Sequence, residues 1–172
     1  MVSSLDGFIA KKDDDISWMH SKDYYKKGKI LGDDEIAEFL ERIDCYLMGF
    51  KTYQRALELG WVYGDTPVKV VTNRDLSAAR TTVNFHSGDL SEPVRQLKAD
   101  YKNIWLVGGA MLAQAFIEQQ LADEIVISII PVLLGEGIPF FGNLCQERDL
   151  HLKDVMAFQD GMVELSYQII KK

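Results

Sequence analysis

Residues 103–120 read NIWLVGGAMLAQAFIEQQ, and the predicted fold class follows from the order of elements in this segment. Its first five residues, NIWLV, form the short, mostly apolar run that is typical of a buried strand. Two glycines follow, and a helix with an apolar face is predicted from Gly109 to Gln120. Strands that pass directly into helices are the units of parallel α/β sheets.

The same alternation extends along the whole chain. The predicted strands are 2–10 (interrupted at the turn-prone pair Asp6-Gly7), 45–49, 68–72, 81–85, 103–107, 124–135, 151–159 and 162–170. The predicted helices are 33–42, 51–59, 91–102 (capped by Ser91) and 109–120. Asp160-Gly161 is a strong hairpin signal between the last two strands. We therefore expect one α/β domain over residues 1–172, with a mainly parallel sheet and an antiparallel C-terminal hairpin.

Composition excludes several classes of protein. The 172 residues carry a net charge of −7, which disfavours nonspecific binding to nucleic acid or to an anionic membrane. No stretch approaches the ~20 apolar residues of a membrane span, and the N-terminus lacks the pattern of a signal peptide, so we expect a cytoplasmic protein. The two cysteines, Cys45 and Cys145, are expected to be core residues.

Three strand ends carry residues compatible with phosphate binding, because ligands of open α/β sheets bind at the carboxyl ends of strands. Glycines there admit close backbone approach, and a helix N-terminus offers free N–H groups. The alternative roles are a tight turn for Gly108-Gly109, a helix cap for Thr52 and a surface position for Arg74. Together they suggest a dinucleotide lying across the sheet. The residues are Gly108 and Gly109; Gly49 and Thr52; and Thr72, Asn73 and Arg74.

Common catalytic and metal-binding motifs are absent. The chain has no GxGxxG, GxxxxGK[ST], GxSxG or HExxH sequence. His20, His86 and His151 are far apart and lack the spacing of metal ligands, so we expect no metal.

Six segments occur in an order that resembles the dihydrofolate-reductase-like superfamily. They are VSSLDGFIA, DISW, YLMGFKTY, VVTNR, WLVGGAMLAQAFI and ADEIVISIIPVLLGEGIPFF. The branch that the chain resembles most is the reductase domain of the bifunctional riboflavin-pathway deaminase–reductase. The resemblance covers nearly the whole chain. It implies a three-layer fold with an eight-stranded, mainly parallel sheet, NADPH as hydride donor, and a homodimer.

The resemblance also assigns cofactor-binding residues. The pyrophosphate loop, in which dihydrofolate reductases hold a cis Gly-Gly bond, corresponds to Val107, Gly108, Gly109, Ala110, Met111 and Leu112. The MGRKT-type loop corresponds to Gly49, Lys51 and Thr52, and the segment facing the adenosine ribose and its 2′-phosphate to Thr72, Asn73 and Arg74. The strand and turn beside the nicotinamide correspond to Ser3, Ser4, Ile9 and Ala10.

Three positions depart from the family patterns. Phe50 stands where dihydrofolate reductases usually have the arginine of MGR, which leaves Lys51 or Arg74 to supply the charge. Phe8 and Val107 replace the lysine of SLDGK and the glutamate of VEGG that riboflavin-pathway enzymes usually carry. Both changes remove polar groups that would meet a ribosyl-phosphate substrate, which argues against the riboflavin intermediate as the native substrate.

Catalytic candidates follow from the same resemblance. In dihydrofolate reductases, the carboxylate residue that binds the substrate lies five residues after a tryptophan, and Trp18 and Asp23 keep that spacing. A semi-buried carboxylate there can hydrogen-bond a heterocycle and assist its protonation. Asp6 is the other candidate. A surface position for Asp23 and a turn-forming role for Asp6 are the alternatives.

The predicted activity is an NADPH-dependent reductase acting on a pteridine- or pyrimidine-type heterocycle. Family-level activities are 5-amino-6-(5-phosphoribosylamino)uracil reductase and dihydrofolate reductase. The alternatives are a non-catalytic dinucleotide-binding or regulatory module and a flavin- or folate-sequestering protein. A homodimer is expected to cover the apolar face of residues 163–169 and the adjacent Phe140 and Phe141.

Overall fold

The computed structural model describes residues 1–142 and 144–171, which form two compact units. Unit 1 comprises Met1–Asp33 and Gln114–Lys172, and unit 2 comprises Asp34–Ala113. The strands are β1 (Val2–Ser4), β2 (Phe8–Ala10), β3 (Cys45–Gly49), β4 (Val68–Val71), β5 (Val83–His86), β6 (Ile104–Gly108), β7 (Glu124–Ile130), β8 (Ile138–Pro139), β9 (Leu150–Ala157) and β10 (Val163–Ile169). The helices are α1 (Asp33–Glu41), α2 (Phe50–Glu58), α3 (Ser91–Asp100), α4 (Ala110–Glu118) and a 3₁₀ turn at Ser17–Met19.

Unit 2 is built on a four-stranded parallel sheet in the order β5-β4-β3-β6. β3 (CYLMG) and β6 (IWLVG) are continuous apolar runs, as expected for parallel strands covered on both faces, whereas β4 and β5 carry the polar residues Lys69 and Asn84. The core on one face combines aliphatic and aromatic side chains, and Trp105 and Val107 pack against it. The buried members of this core are Tyr46, Met48, Tyr53, Val68, Val70 and Val83.

Unit 1 contains a mixed four-stranded sheet in the order β1-β7-β10-β9 and a two-stranded ribbon of β2 and β8. β1 runs parallel to β7, and β10 runs antiparallel to both β7 and β9. Gly161 adopts a φ of +80° in the turn between β9 and β10, and the Phe158 N–H donates to the Met162 carbonyl at 2.8 Å. The predicted Asp160-Gly161 hairpin is therefore confirmed.

The α/β class, the parallel sheet and the C-terminal antiparallel hairpin agree with the sequence prediction. The single sheet of eight mainly parallel strands is not confirmed, because the recorded ladders join the strands into two four-stranded sheets and the β2–β8 ribbon. Long apolar strands predict sheet membership well, but the pattern does not specify which strands pair.

The strand predicted over 124–135 is shorter in the structure, since β7 ends at Ile130. Pro131 follows and has no N–H for a ladder. The next amides turn toward another partner: the Leu134 and Gly135 N–H groups donate to the Asp6 carboxylate at 3.1 and 2.7 Å. A side chain distant in sequence thus takes the backbone donors that a longer strand would need.

Two smaller predictions are wrong. Ser91 does not cap α3 with its side chain; its backbone N–H instead donates to the Asp89 carboxylate at 2.6 Å. Cys45 is buried as expected, but Cys145 is exposed and is not a core residue. Among the described residues, no helix combines the length and apolar character that a bilayer span requires.

Candidate functional site

Two glycine-containing turns of unit 2 lie against each other. Gly49 ends β3 and precedes α2, and no side chain caps that helix. A Cβ atom added to Gly49 would lie 3.8 Å from the Gly108 carbonyl oxygen, and one added to Gly109 would lie 3.8 Å from Thr52 Oγ1. The Gly108–Gly109 peptide bond is cis, as the family resemblance implies. The β3–α2 and β6–α4 turns therefore approach each other closely, with Gly49 and Gly109 half-buried and Gly108 buried.

A cation lies beside the start of α2. The guanidinium carbon of Arg74 is 4.3 Å from the centroid of the Phe50 ring, within cation–π range. Thr72 is buried, and its Oγ1 accepts the Arg74 backbone N–H at 3.2 Å. The loop after β4 is thereby anchored, and the Arg74 side chain is held over the first residue of α2.

These features suit a phosphate-containing ligand. Free N–H groups at a helix N-terminus and a nearby guanidinium are the usual donors to phosphate oxygens. In a chain with a net charge of −7, such local donors have to provide the binding energy for an anion. The exposed side chains of Lys51, the second residue of α2, and of Asn73, in the loop after β4, belong to the same two segments.

A sequence model of one family, described as the RibD C-terminal domain, matches residues 1–163. The chain belongs to the RibD C-terminal domain family. Two uncharacterized Bacillus subtilis proteins are similar: YwjB is 35% identical over 95% of this chain and 92% of its own length, and YyaP is 31% identical over 97% and 91%.

Solved structures share the fold. A protein from Shewanella sp. PV-4, named as a candidate riboflavin biosynthesis protein, superposes with a TM-score of 0.84 at 26% identity, covering 99% of this chain and 97% of that one. RibD of Acinetobacter baumannii gives a TM-score of 0.65 at 18% identity over 99% of this chain and 56% of its own. A pyrimidine reductase-like protein from Corynebacterium diphtheriae gives 0.64 at 12% identity, with coverages of 99% and 90%.

The RibD C-terminal domain is a reductase domain of the nicotinamide-dinucleotide-dependent kind. The remaining residues predicted for its pyrophosphate loop occupy different environments here. Met111 at the start of α4 is 87% exposed, whereas Leu112 is buried and Ala110 is half-buried. Val107 is half-buried and packs against the aromatic core of unit 2.

In unit 1, the β1 serines predicted to lie beside the nicotinamide are buried and engaged within the fold. Ser4 Oγ donates to Asp6 Oδ1 at 2.6 Å and accepts the Phe8 N–H at 2.9 Å. The Ser3 hydroxyl donates to the Ser4 carbonyl at 2.9 Å. Ile9 is half-buried and Ala10 is buried on β2. The β1–β2 turn is therefore a rigid element of unit 1.

Asp6 anchors that turn. Its carboxylate accepts hydrogen bonds from the Ser4 hydroxyl and from the Leu134 and Gly135 N–H groups. The Ser4 hydrogen bond is the largest cause that lowers the pKa of Asp6, followed by the bond from Gly135. A carboxylate held in its charged form by several donors is a poor proton donor at neutral pH. The geometry favours the turn-forming role of Asp6.

Trp18 and Asp23 lie in different surroundings. The Trp18 indole Nε1 is buried without a hydrogen-bond acceptor among the described residues. Asp23 is exposed and lies over the β9–β10 hairpin, where a Cβ atom added to Gly161 would be 2.4 Å from its Oδ2. The Tyr25 N–H donates to the Gln159 carbonyl at 2.7 Å, which holds this segment against the hairpin. The exposure of Asp23 favours the surface alternative.

Sequence reasoning missed one carboxylate. Glu164 lies in the middle of β10, is half-buried, and accepts the Ser128 hydroxyl at 3.0 Å. The sequence signal was the polar series Glu164, Ser166 and Gln168, which alternates with apolar residues and is also typical of a solvated sheet face. In residues 1–142 and 144–171, no group of three or more His, Cys, Asp or Glu side chains is arranged to hold a metal.

Proposed function

We propose that the protein is an NADPH-dependent reductase of a flat nitrogen heterocycle. The observation that carries the proposal is the contact between the two glycine turns of unit 2, with the Arg74 guanidinium beside the first turn of α2. Membership of a reductase domain family supports the hydride chemistry. Neither observation depends on the unassigned substrate.

Each part of the unit 2 surface has a distinct binding role in this proposal. Gly49 and Gly109 leave room for a pyrophosphate next to backbone donors, and Thr52 adds a hydroxyl. Arg74 pairs with a 2′-phosphate, which distinguishes NADPH from NADH. The bound nicotinamide supplies the hydride, while the protein orients both reactants and excludes water.

The substrate class follows from the family and from two departures within it. A pyrimidine or pteridine ring is consistent with the RibD C-terminal domain family. Phe8 and Val107 are half-buried apolar side chains at the positions where riboflavin-pathway enzymes carry a lysine and a glutamate. We therefore favour a heterocycle without the ribosyl phosphate of 5-amino-6-(5-phosphoribosylamino)uracil, and dihydrofolate or a simpler pyrimidine as candidates.

A non-catalytic dinucleotide-binding module is the second candidate. The engagement of Asp6 within its turn and the exposure of Asp23 favour it, since neither carboxylate is placed as a shielded proton donor. Such a module would bind NADPH with the same unit 2 residues and would not oxidise it.

The test is NADPH oxidation followed at 340 nm with a panel of dihydropterins, pyrimidines and dihydrofolate. If the protein is a reductase, the wild-type chain should oxidise NADPH with at least one panel member, and the Gly109→Val variant should oxidise it with no panel member. NADPH binding without turnover across the panel would favour the non-catalytic module. Absence of NADPH binding by a folded wild-type chain would contradict both candidates.

We further propose that the working form is a homodimer. On β9, an edge strand of the unit 1 sheet, Leu150, Leu152 and Val155 are 43–51% exposed. These residues pair with Ile169, Tyr167 and Leu165 on β10, so they extend its apolar face. In a two-fold symmetric dimer, each protomer covers this apolar face of its partner with its own copy of the same face.

A further inference from the structure

A cavity of about 700 Å³ lies in unit 2 along α3. Side chains of β3, β4 and β5 form its wall on the sheet side. Its wall on the helix side includes Leu90, which precedes α3, and Tyr101, which follows it. The volume falls within the range of about 300–1,000 Å³ that is typical of small-molecule sites. The cavity is therefore large enough for a small organic ligand.

The cavity lies on the face of the parallel sheet opposite the aromatic core. Leu47 and Lys69 stand opposite each other in the β3–β4 ladder, so their side chains share a face. Their sequence neighbours belong to the aromatic core, and successive side chains of a strand point to opposite faces. Among the described residues, none of those assigned above to the pyrophosphate or to the 2′-phosphate lines this cavity. It is thus distinct from the dinucleotide surface.

Lys69 gives the cavity wall an unpaired positive charge. It is half-buried on β4, between β3 and β5, and its ammonium has no hydrogen bond or ion pair with the described residues. Burial raises the pKa of the Cys45 thiol to about 11, and the charge of Lys69 acts in the opposite direction. The other charged side chains of the wall are exposed, and two of them, Glu92 and Arg95, pair with each other; the third is Asp100.

The surroundings of this charge are mostly apolar. Leu47 of β3 and Val94 and Leu97 of α3 are buried side chains of the cavity wall. The aliphatic stem of a lysine adds to such a wall, while the ammonium keeps three N–H donors for a partner. A lysine in the middle of a covered parallel strand is unusual unless it has a partner.

We propose that this cavity binds a small organic acid, whose anionic group pairs with the Lys69 ammonium and whose apolar body lies against α3. An anion gains charge-assisted hydrogen bonds from Lys69, whereas a neutral ligand of the same shape gains only the apolar contacts. The site would add a second ligand to the dinucleotide. The proposal does not depend on the proposed reductase activity.

Two fluorescent probes with the same apolar body test the role of charge. 8-Anilinonaphthalene-1-sulfonate carries an anionic group, and N-phenyl-1-naphthylamine lacks it. Titrations are made with saturating NADP⁺ present, so that the dinucleotide surface is occupied. Lys69→Met should weaken binding of the sulfonate about 10-fold through loss of the charge-assisted pair, and should leave the neutral probe within about 2-fold of wild type. Lys69→Arg keeps the charge and should restore most of the affinity for the sulfonate.

Two further variants separate charge from space. Lys98→Met is the matched control, because Lys98 is an exposed lysine of α3 that is not part of the cavity wall. It should change the affinity for either probe by less than about 2-fold, as is typical for an exposed charge. Ala99 is exposed and lines the cavity, so Ala99→Trp should weaken both probes by narrowing it.

Thermal melting shows whether each variant is folded, and Lys69→Gln replaces Lys69→Met if the latter is not. Equal affinity of the sulfonate for wild type and a folded, uncharged Lys69 variant would overturn the proposal. Complete displacement of the sulfonate by NADP⁺ would also overturn it, because the probe would then occupy the dinucleotide surface. A wild-type chain that binds neither probe would overturn it as well. Failure of NADP⁺ to bind would count against the proposed function and not against the Lys69 site.

Discussion

Replacement of Arg74 by alanine is the sharpest test of cofactor recognition. The Arg74 guanidinium is stacked 4.3 Å from the Phe50 ring centroid, and its backbone is tied to Thr72. A stacked guanidinium is already restricted before the ligand binds, so less side-chain entropy is lost when it pairs with a phosphate. The Arg74→Ala chain keeps the backbone of the loop and loses the cation.

The expected magnitude follows from the type of bond. A hydrogen bond to a charged group contributes about 1.5–3 kcal/mol, and the exposure of Arg74 keeps the effect below the top of that range. We therefore expect the ratio of NADPH to NADH affinity to fall about 10- to 100-fold. Phe50→Leu removes only the stacking surface, for which about 0.5–1 kcal/mol is typical at exposed sites. It should lower the same ratio about 2- to 5-fold.

Dissociation constants of both dinucleotides, from quenching of intrinsic fluorescence, give the ratio directly. Arg80→Ala is the matched control, since Arg80 lies in the same loop region and is stacked over Trp61 at 4.9 Å. It should leave the ratio within about 2-fold of wild type. An equal loss of affinity for NADPH and NADH in Arg74→Ala, or an effect of Arg80→Ala as large as that of Arg74→Ala, would refute the assignment of the 2′-phosphate to Arg74.

Three further predictions concern binding, stability and assembly. Gly109→Val should abolish dinucleotide binding in calorimetry, because the branched side chain fills the space beside Thr52. The circular dichroism spectrum should stay unchanged. An unaltered affinity would show that this turn is not part of the binding site. Asp6 has a lowered pKa, so it stabilises the fold above its ordinary pKa of 3.8 and loses this effect as the pH falls through the lower, folded value. Melting temperatures of wild type and Asp6→Asn should thus differ most near neutral pH and converge on acidification, and a constant difference would contradict this role. Light scattering should give twice the chain mass of 19.5 kDa for wild type and a lower mass for Leu152→Glu; a wild-type monomer at every concentration would exclude the dimer.

Much of the fold was predictable because its signals are local. The strand, glycine pair and helix of residues 104–118 need only neighbouring residues to be recognised, and so does the Asp160-Gly161 hairpin. The course of the chain after β7 was only partly predictable in this way. Pro131 has no N–H and is a local sign that the strand ends at Ile130. The donation of the Leu134 and Gly135 N–H groups to Asp6 is not visible in the apolar pattern, which continues through Leu134. Such competition between a distant side chain and a ladder leaves no trace in local periodicity.

The candidate site, too, was predictable from the sequence only where its signals are local. Gly49, Gly108 and Gly109 could be proposed from the sequence, since each marks a strand end, and their mutual approach follows from β3 and β6 being neighbours in a parallel sheet. The carboxylates could not be ranked from sequence. Asp23 has a spacing from Trp18 that points to function, and Asp6 was the other candidate, yet Asp6 accepts several hydrogen bonds within its turn and Asp23 is exposed. Glu164 carries no motif, and only the cross-strand pairing with Ser128 shows that it is shielded and oriented.

Phe50 illustrates how a departure from a family pattern can be read once geometry is known. Taken alone, the loss of an arginine at the start of α2 argues against recognition of a 2′-phosphate. The structure shows that the ring at this position supports the guanidinium of Arg74, from the loop after β4. The positive charge is therefore still present next to the first turn of α2, but it is delivered by a different strand end. Because the two residues act as a pair, the effects of Phe50→Leu and Arg74→Ala on the NADPH to NADH ratio should not add: once Arg74 is absent, the ring has no cation to hold.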